Sequence, residues 1–131
     1  MTLVMKFGGT SVGTAHAIRE TAELILRTKE KWQQILVVAS GMGSKPIKVT
    51  DLLLNGAYAA ARGDRTTFTN NAETMRQIHF EAIDSLLNPE GERQQILADM
   101  NGTIDHYVAL CDAVCVLGEL SPRALDAIAG M

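Results

Sequence analysis

Two apolar runs, Leu3-Val4-Met5 and Ile35-Leu36-Val37-Val38-Ala39, are separated by a segment that repeats with the period of a helix. From about Ala15 to Lys31, Ile18, Ala22 and Ile25 recur at i, i+4 and i+7, with Arg19, Glu20, Glu23, Arg27 and Glu30 on the other side. That is the pattern of an amphipathic helix. Nearly continuous apolar runs are the mark of parallel strands buried on both faces. Parallel neighbours need a crossover, and such crossovers are right-handed. The expectation is therefore a βαβ unit, with strands at about Thr2–Phe7 and Ile35–Ala39. Both strands run into Gly/Ser loops on one edge of the sheet, the carboxyl edge where open α/β sheets bind ligands.

The first of these loops is Lys6-Phe7-Gly8-Gly9-Thr10-Ser11-Val12-Gly13. Glycine lets a backbone approach an anion closely and turn with positive φ. Successive N–H groups in such a turn form a concave anion site, to which a following helix adds its N-terminus. The loop reads as a phosphate cradle with a lysine beside it. It is neither a P-loop, whose lysine follows the glycines, nor a G-x-G-x-x-G fingerprint. On these residues alone, an ordinary strand-to-helix turn with a lysine at the strand's end remains open.

The 131 residues suffice for one domain with a single sizeable core. With 47% hydrophobic and 21% charged residues, disorder is excluded. A net charge of −3 leaves no footprint for nucleic acid or an anionic membrane, so any anion site must be local. No apolar run is long enough to span a membrane, and the N-terminus has no secretory layout; the expected compartment is the cytoplasm. Cys111 and Cys115, at an i, i+4 spacing beside Ile104 and Val108, read as buried reduced thiols. His16, His79 and His106 have no metal-ligand spacing and read as surface or core residues; no metal site is expected.

Beyond the second loop, Ser40-Gly41-Met42-Gly43-Ser44-Lys45-Pro46, the chain reads as helical. Helices are expected at Val49 to Arg62, broken by Gly63-Asp64, and at Thr67 to Leu87, ended by Asn88-Pro89. The second of these carries Met75, Ile78, Ala82 and Leu86 on one stripe. Two more are expected on either side of Asn101-Gly102, and a last one starts at Ser121-Pro122, a cap followed by proline at the first helical position. Two strands do not make a self-sufficient doubly wound sheet, so the expectation is an N-terminal piece of a longer enzyme.

Lys6-Phe7-Gly8-Gly9-Thr10-Ser11-Val12 resembles the K-F-G-G-T-S-V opening of the aspartate kinases, within the amino-acid kinase superfamily. Further segments agree in order. Val37-Val38-Ala39-Ser40-Gly41-Met42 is similar to V-V-x-S-A-M, Val49-Thr50-Asp51-Leu52-Leu53 to V-T-[DN]-L-L, and Leu117 to Arg123 to L-G-E-L-[ST]-P-[RK]. The resemblance implies the N-terminal part of a three-layer αβα sandwich, a βαβ unit followed by a mostly helical region, with no regulatory domain in this chain. It implies ATP-dependent phosphorylation of the L-aspartate side-chain carboxylate, the first step towards lysine, threonine and methionine, by a homo-oligomeric full-length enzyme. It also implies roles. Lys6 is the catalytic cation, Lys6, Phe7, Gly8, Gly9 and Thr10 hold ATP, and Ser11, Ser40 and Thr50 lie by the amino acid. Mg²⁺ would arrive on the nucleotide, without a protein ligand.

Two departures bear on these roles. A short insertion around Gly43 to Lys48 precedes Val49-Thr50 and carries Lys45 and Lys48, read either as a solvated loop or as an extension of the anion-binding rim. Glu119 is not taken as the substrate-ammonium carboxylate, because the family's glutamate for that role belongs to a later G-E-R segment. The piece is therefore expected not to phosphorylate aspartate by itself. The alternatives are another amino-acid kinase, acting on glutamate or N-acetylglutamate, and a non-catalytic phosphate-binding module.

Overall fold

A computed structural model describes residues 1–131, with Ser44 described by its backbone alone. The chain resolves into two compact units, Met1–Lys48 and Val49–Met131. The class is α/β, with a parallel strand pair in the first unit and packed helices in the second.

In the first unit, β1 (Thr2–Phe7) and β2 (Gln34–Ala39) pair in parallel from Thr2 opposite Gln34 to Phe7 opposite Ala39. They are joined by α1 (Ala15–Lys29), as the apolar periodicity requires. Thr14 starts α1: its backbone is extended and its hydroxyl accepts the Ala17 N–H at 3.2 Å. The expectation of fully buried strands is not met. Along β1 only the alternate residues Leu3, Met5 and Phe7 are half-buried, while Val4 is 59% and Leu36 55% exposed. A two-stranded sheet crossed by one helix has only one face that the helix can cover. The apolar residues of the opposite face stay open within the described chain.

The Gly43–Lys48 insertion is not an irregular loop. It is a hairpin of β3 (Gly43–Ser44) and β4 (Ile47–Lys48), with Gly43 opposite Lys48 and Ser44 opposite Ile47. Lys45 and Pro46 form its two-residue turn, their peptide bond is cis, and Gly43 has φ +103°. Strands of two residues are too short for any period to register in the sequence.

The second unit packs α2 (Val49–Ala61), α3 (Arg65–Leu86), α4 (Arg93–Leu117) and α5 (Pro122–Ala129) around one core. Small residues of α2, Ala57 and Ala60, face Phe68, Ala72 and Met75 of α3, Tyr107, Cys111 and Val114 of α4, and Ile128 of α5. Gly63, at φ +78°, follows α2, and Gly118, at φ +66°, closes α4 in the left-handed conformation that glycine adopts without penalty. Asp64 and Ser121 cap α3 and α5 by accepting the N–H groups of Thr67 and Ala124.

The break expected at Asn101-Gly102 is absent, and α4 runs through it unbroken. Glycine inside a helix costs about 1 kcal/mol relative to alanine. Tertiary contacts outweigh that here. The Arg76 guanidinium on α3 donates to Asn101 Oδ1 and Asp105 Oδ1, each at 2.6 Å, and so clasps α4 on both sides of Gly102. Ile104, Tyr107, Cys111 and Val114 then bury one continuous stripe.

Candidate active-site loop

The ladder between β1 and β2 extends one bond past the strands: the Ser40 N–H donates to Phe7 O at 3.0 Å. This holds the start of the second loop against the end of β1. The first loop then turns on itself, with the Ser11 N–H donating to Gly8 O at 3.0 Å. The Thr21 hydroxyl of α1 donates to Ser11 O at 2.7 Å, which ties the loop to the helix. A Cβ placed on Gly9 would lie 3.9 Å from Ser40 Oγ, so Ser40 stands beside the first loop with room for no more than such an atom between them. Lys6, Phe7, Gly8, Gly9, Thr10, Ser11 and Ser40 are therefore gathered at one edge of this unit, as the βαβ reading required.

Gly8 is the most open point. A Cβ there would meet nothing within 4 Å. The expectation that these glycines serve for positive φ is corrected: the left-handed glycines are Gly43, Gly63, Gly91 and Gly118, not Gly8 or Gly9. What glycine contributes here is clearance over the backbone rather than handedness. That clearance is the property an anion needs to reach main-chain N–H groups. Lys6 is exposed, on the face of β1 opposite Phe7, and among the described residues no acid pairs with it. Thr10 and Ser40 are exposed and Ser11 half-buried. Beside the loop, Phe7, Thr10 and Ser11 share a cleft of about 310 Å³ with Ala17, Glu20, Thr21 and Leu24 of α1.

Thr50 lies, exposed, in the first turn of α2, in the second unit. Glu119 is an exposed residue of the α4–α5 connection. The remaining polar candidates have structural roles. His16 pairs with Glu20 at 3.6 Å on the surface of α1, and His79 Nδ1 lies 2.7 Å from Met75 O. Cys111 is fully buried, and burial pushes its thiol up to about 11, against the opposing pull of the Tyr107 hydroxyl; Cys115 is half-buried. Among the described residues no group of three His, Cys, Asp or Glu side chains could hold a metal ion, and no helix is long and apolar enough to cross a membrane.

The sequence reading missed the hairpin that holds Lys45 and Lys48. The available signal was Gly43-Ser44 and Ile47-Lys48 flanking a two-residue Lys-Pro turn, which is hairpin spacing without the usual glycine.

Comparison with known proteins agrees with this geometry. Aspartokinase of Candida albicans is 32% identical over 129 residues, which cover 96% of this chain and 23% of that protein. Aspartokinase 2 of Bacillus subtilis is 44% identical over 94 residues, 62% of this chain and 22% of that protein. The chloroplastic bifunctional aspartokinase/homoserine dehydrogenase 1 of Arabidopsis thaliana is 28% identical over 127 residues, 97% of this chain and 13% of that protein. The chain thus spans less than a quarter of the length of each of these relatives. The pattern that defines the amino acid kinase family matches residues 1–125, from β1 and its glycine loop into α5. The chain belongs to the amino acid kinase family.

Proposed function

We propose that this chain carries the phosphate-binding part of an aspartate kinase, in which ATP phosphorylates the side-chain carboxylate of L-aspartate to give 4-phospho-L-aspartate. The observation that carries the reading is the open Gly8-Gly9 backbone beside Lys6, which no acid pairs among the described residues, in a chain whose relatives are named aspartokinases. In this reading both compact units are parts of one catalytic domain. The enzyme works in the cytoplasm, at the head of lysine, threonine and methionine synthesis.

The roles follow from the chemistry. Phosphoryl transfer is catalysed by positioning and charge stabilisation. The Lys6 ammonium neutralises charge on the transferring phosphoryl group. The N–H groups of the Phe7 to Thr10 segment hold the phosphate oxygens, and the clearance above Gly8 admits them. The attacking carboxylate is ionised at neutral pH, so no general base is required. Its oxygen bonds to the γ-phosphorus as the bond to the ADP oxygen breaks. Ser11, Ser40 and Thr50 supply hydroxyl donors to the amino acid. Mg²⁺ would enter with the nucleotide and offset phosphate charge.

The test is a titration of MgATP against the wild type and Lys6→Ala, paired with trapping of the acyl phosphate as a hydroxamate in the longest expressed form of the protein. Loss of a charged phosphate contact costs about 1.5–3 kcal/mol, at least a tenfold weaker affinity. Equal affinity for both proteins overturns the phosphate site. Trapping with glutamate or N-acetylglutamate instead of aspartate overturns the substrate.

A further inference from the structure

A threonine inside a helix commonly returns its hydroxyl to the backbone carbonyl four residues back. Thr28, Thr69, Thr74 and Thr103 all do so, at distances between 2.7 and 3.0 Å. Thr21 of α1 departs from this pattern. Its hydroxyl donates out of the helix, to Ser11 O at 2.7 Å, ten residues back along the chain and partly buried. The position allows it. Thr21 is the seventh residue of α1, and helical side chains lean towards the helix N-terminus, here towards the loop that precedes the helix.

What this bond holds is the glycine loop. The Ser11 N–H donates to Gly8 O and closes a four-residue turn with Gly9 and Thr10 at its centre. On the strand side, the chain entering the turn is fixed by the Ser40 N–H on Phe7 O. On the helix side, Ser11 lies between β1 and α1, outside any ladder, and Thr21 takes its carbonyl there. Thr21 also lines the cleft that Phe7, Thr10 and Ser11 share with α1. Without the Thr21 hydroxyl the turn would keep one of these two anchors. Backbone N–H groups serve a transferring phosphoryl group best when they are held in place before it arrives. We infer that Thr21 is a positioning residue of the phosphate-binding turn, which acts through Ser11 O and keeps the Gly8 to Thr10 N–H groups aimed at phosphate. This rests on the proposed function, in which those N–H groups hold the phosphate oxygens.

The test is a titration of MgATP against the longest expressed form of the wild type, Thr21→Val, Thr21→Ser and Thr28→Val, with the urea midpoint of each. Thr21→Val keeps the branched shape and loses the donor. It is expected to raise Kd for MgATP about fivefold, the loss of one neutral hydrogen bond. Thr21→Ser, which keeps the hydroxyl, is expected to bind within about twofold of the wild type. Thr28→Val removes a hydroxyl from the same helix, but one bonded to Leu24 O, and is expected to leave the affinity unchanged. If Thr21→Val disturbs folding, Thr21→Ala is read in the same way. A lowered urea midpoint in Thr21→Val with unchanged MgATP affinity would be a merely structural role and overturns the inference. An equal loss of affinity in Thr21→Ser or in Thr28→Val overturns it too. Equal affinity of the wild type and Lys6→Ala overturns instead the phosphate site on which the inference rests.

Discussion

The Tyr107 hydroxyl of α4 occupies the space where a side chain on Gly56 of α2 would begin. A Cβ built on Gly56 overlaps Tyr107 Oη, and it would stand 3.0 Å from Tyr107 Cζ and 3.2 Å from Phe68 Cβ. Tyr107 is 1% exposed, and its hydroxyl lies beside Cys111 and Asn71 without forming a hydrogen bond of normal geometry among the described residues. Burial raises its pKa above the ordinary tyrosine value, with the neighbouring Cys111 thiol adding to the shift, so the ring stays neutral throughout the working range.

Gly56→Ala is therefore expected to destabilise the protein by about 1–3 kcal/mol through overpacking, although alanine favours a helix. Tyr107→Phe removes a buried hydroxyl that forms no hydrogen bond of normal geometry and is expected to be neutral or stabilising. In the Tyr107→Phe background the cost of Gly56→Ala should fall, because the overlapping atom has gone. Urea midpoints of the two single variants and the double variant form the cycle. Strict additivity would show that the overlap is relieved elsewhere.

Gly102 presents the opposite case. It lies within α4, and a Cβ there would meet nothing within 4 Å. Gly102→Ala is expected to stabilise by about 0.5–1 kcal/mol, seen as a higher urea midpoint with unchanged slope. The gain should be larger when Arg76→Met removes the clasp on Asn101 and Asp105, since the helix then depends more on its own propensity.

Asp64 gives a pH dependence with a definite sign. Its carboxylate accepts from the Thr67 hydroxyl at 2.6 Å and from the Thr67 N–H at 3.0 Å, and these bonds hold its pKa below the ordinary aspartate value, the hydroxyl contributing most. A depressed folded-state pKa means stabilisation that is fully present above the unfolded value of about 3.9. It is lost as pH falls through the folded value. Asp64→Asn, which keeps a capping oxygen, should remove this part of the acid sensitivity. Melting temperatures of the variant and the wild type compared from pH 6 to pH 2 should converge at the acid end.

At Gly8 stability and function should separate. The site is open and its backbone is not left-handed, so Gly8→Ala is expected to change folding stability by no more than about 0.5 kcal/mol. If phosphate oxygens use the clearance, MgATP affinity should fall while the urea midpoint stays put. Retained affinity would mean that the nucleotide does not approach this backbone.

Much of the site was legible in the chain. β1 and α1 have periods that a single sequence displays, and the Lys6 to Ser11 loop follows from where they end. That β1 and β2 are parallel follows from the helix between them, and their pairing brings Ser40 beside Gly9. Handedness was misjudged at Gly8 and Gly9, because glycine is equally compatible with clearance and with positive φ. The hairpin at Gly43–Lys48 shows in the sequence only as a turn spacing, since two-residue strands are set by their pairing with each other and not by any repeat.

The sequence by itself determined the elements whose stability is local or periodic: the capped helices, the apolar strands, the glycine loop with its lysine. Only the tertiary structure decided the rest. Arg76 carries α4 through Gly102 because two charge-assisted bonds outweigh one residue's propensity. Gly56 is glycine because Tyr107 Oη, far away in sequence, fills the space beside it. The strands look fully buried in composition yet lie half open, since burial depends on which surfaces meet and not on which residues are apolar. Those contacts join residues distant along the chain, and no local pattern encodes them.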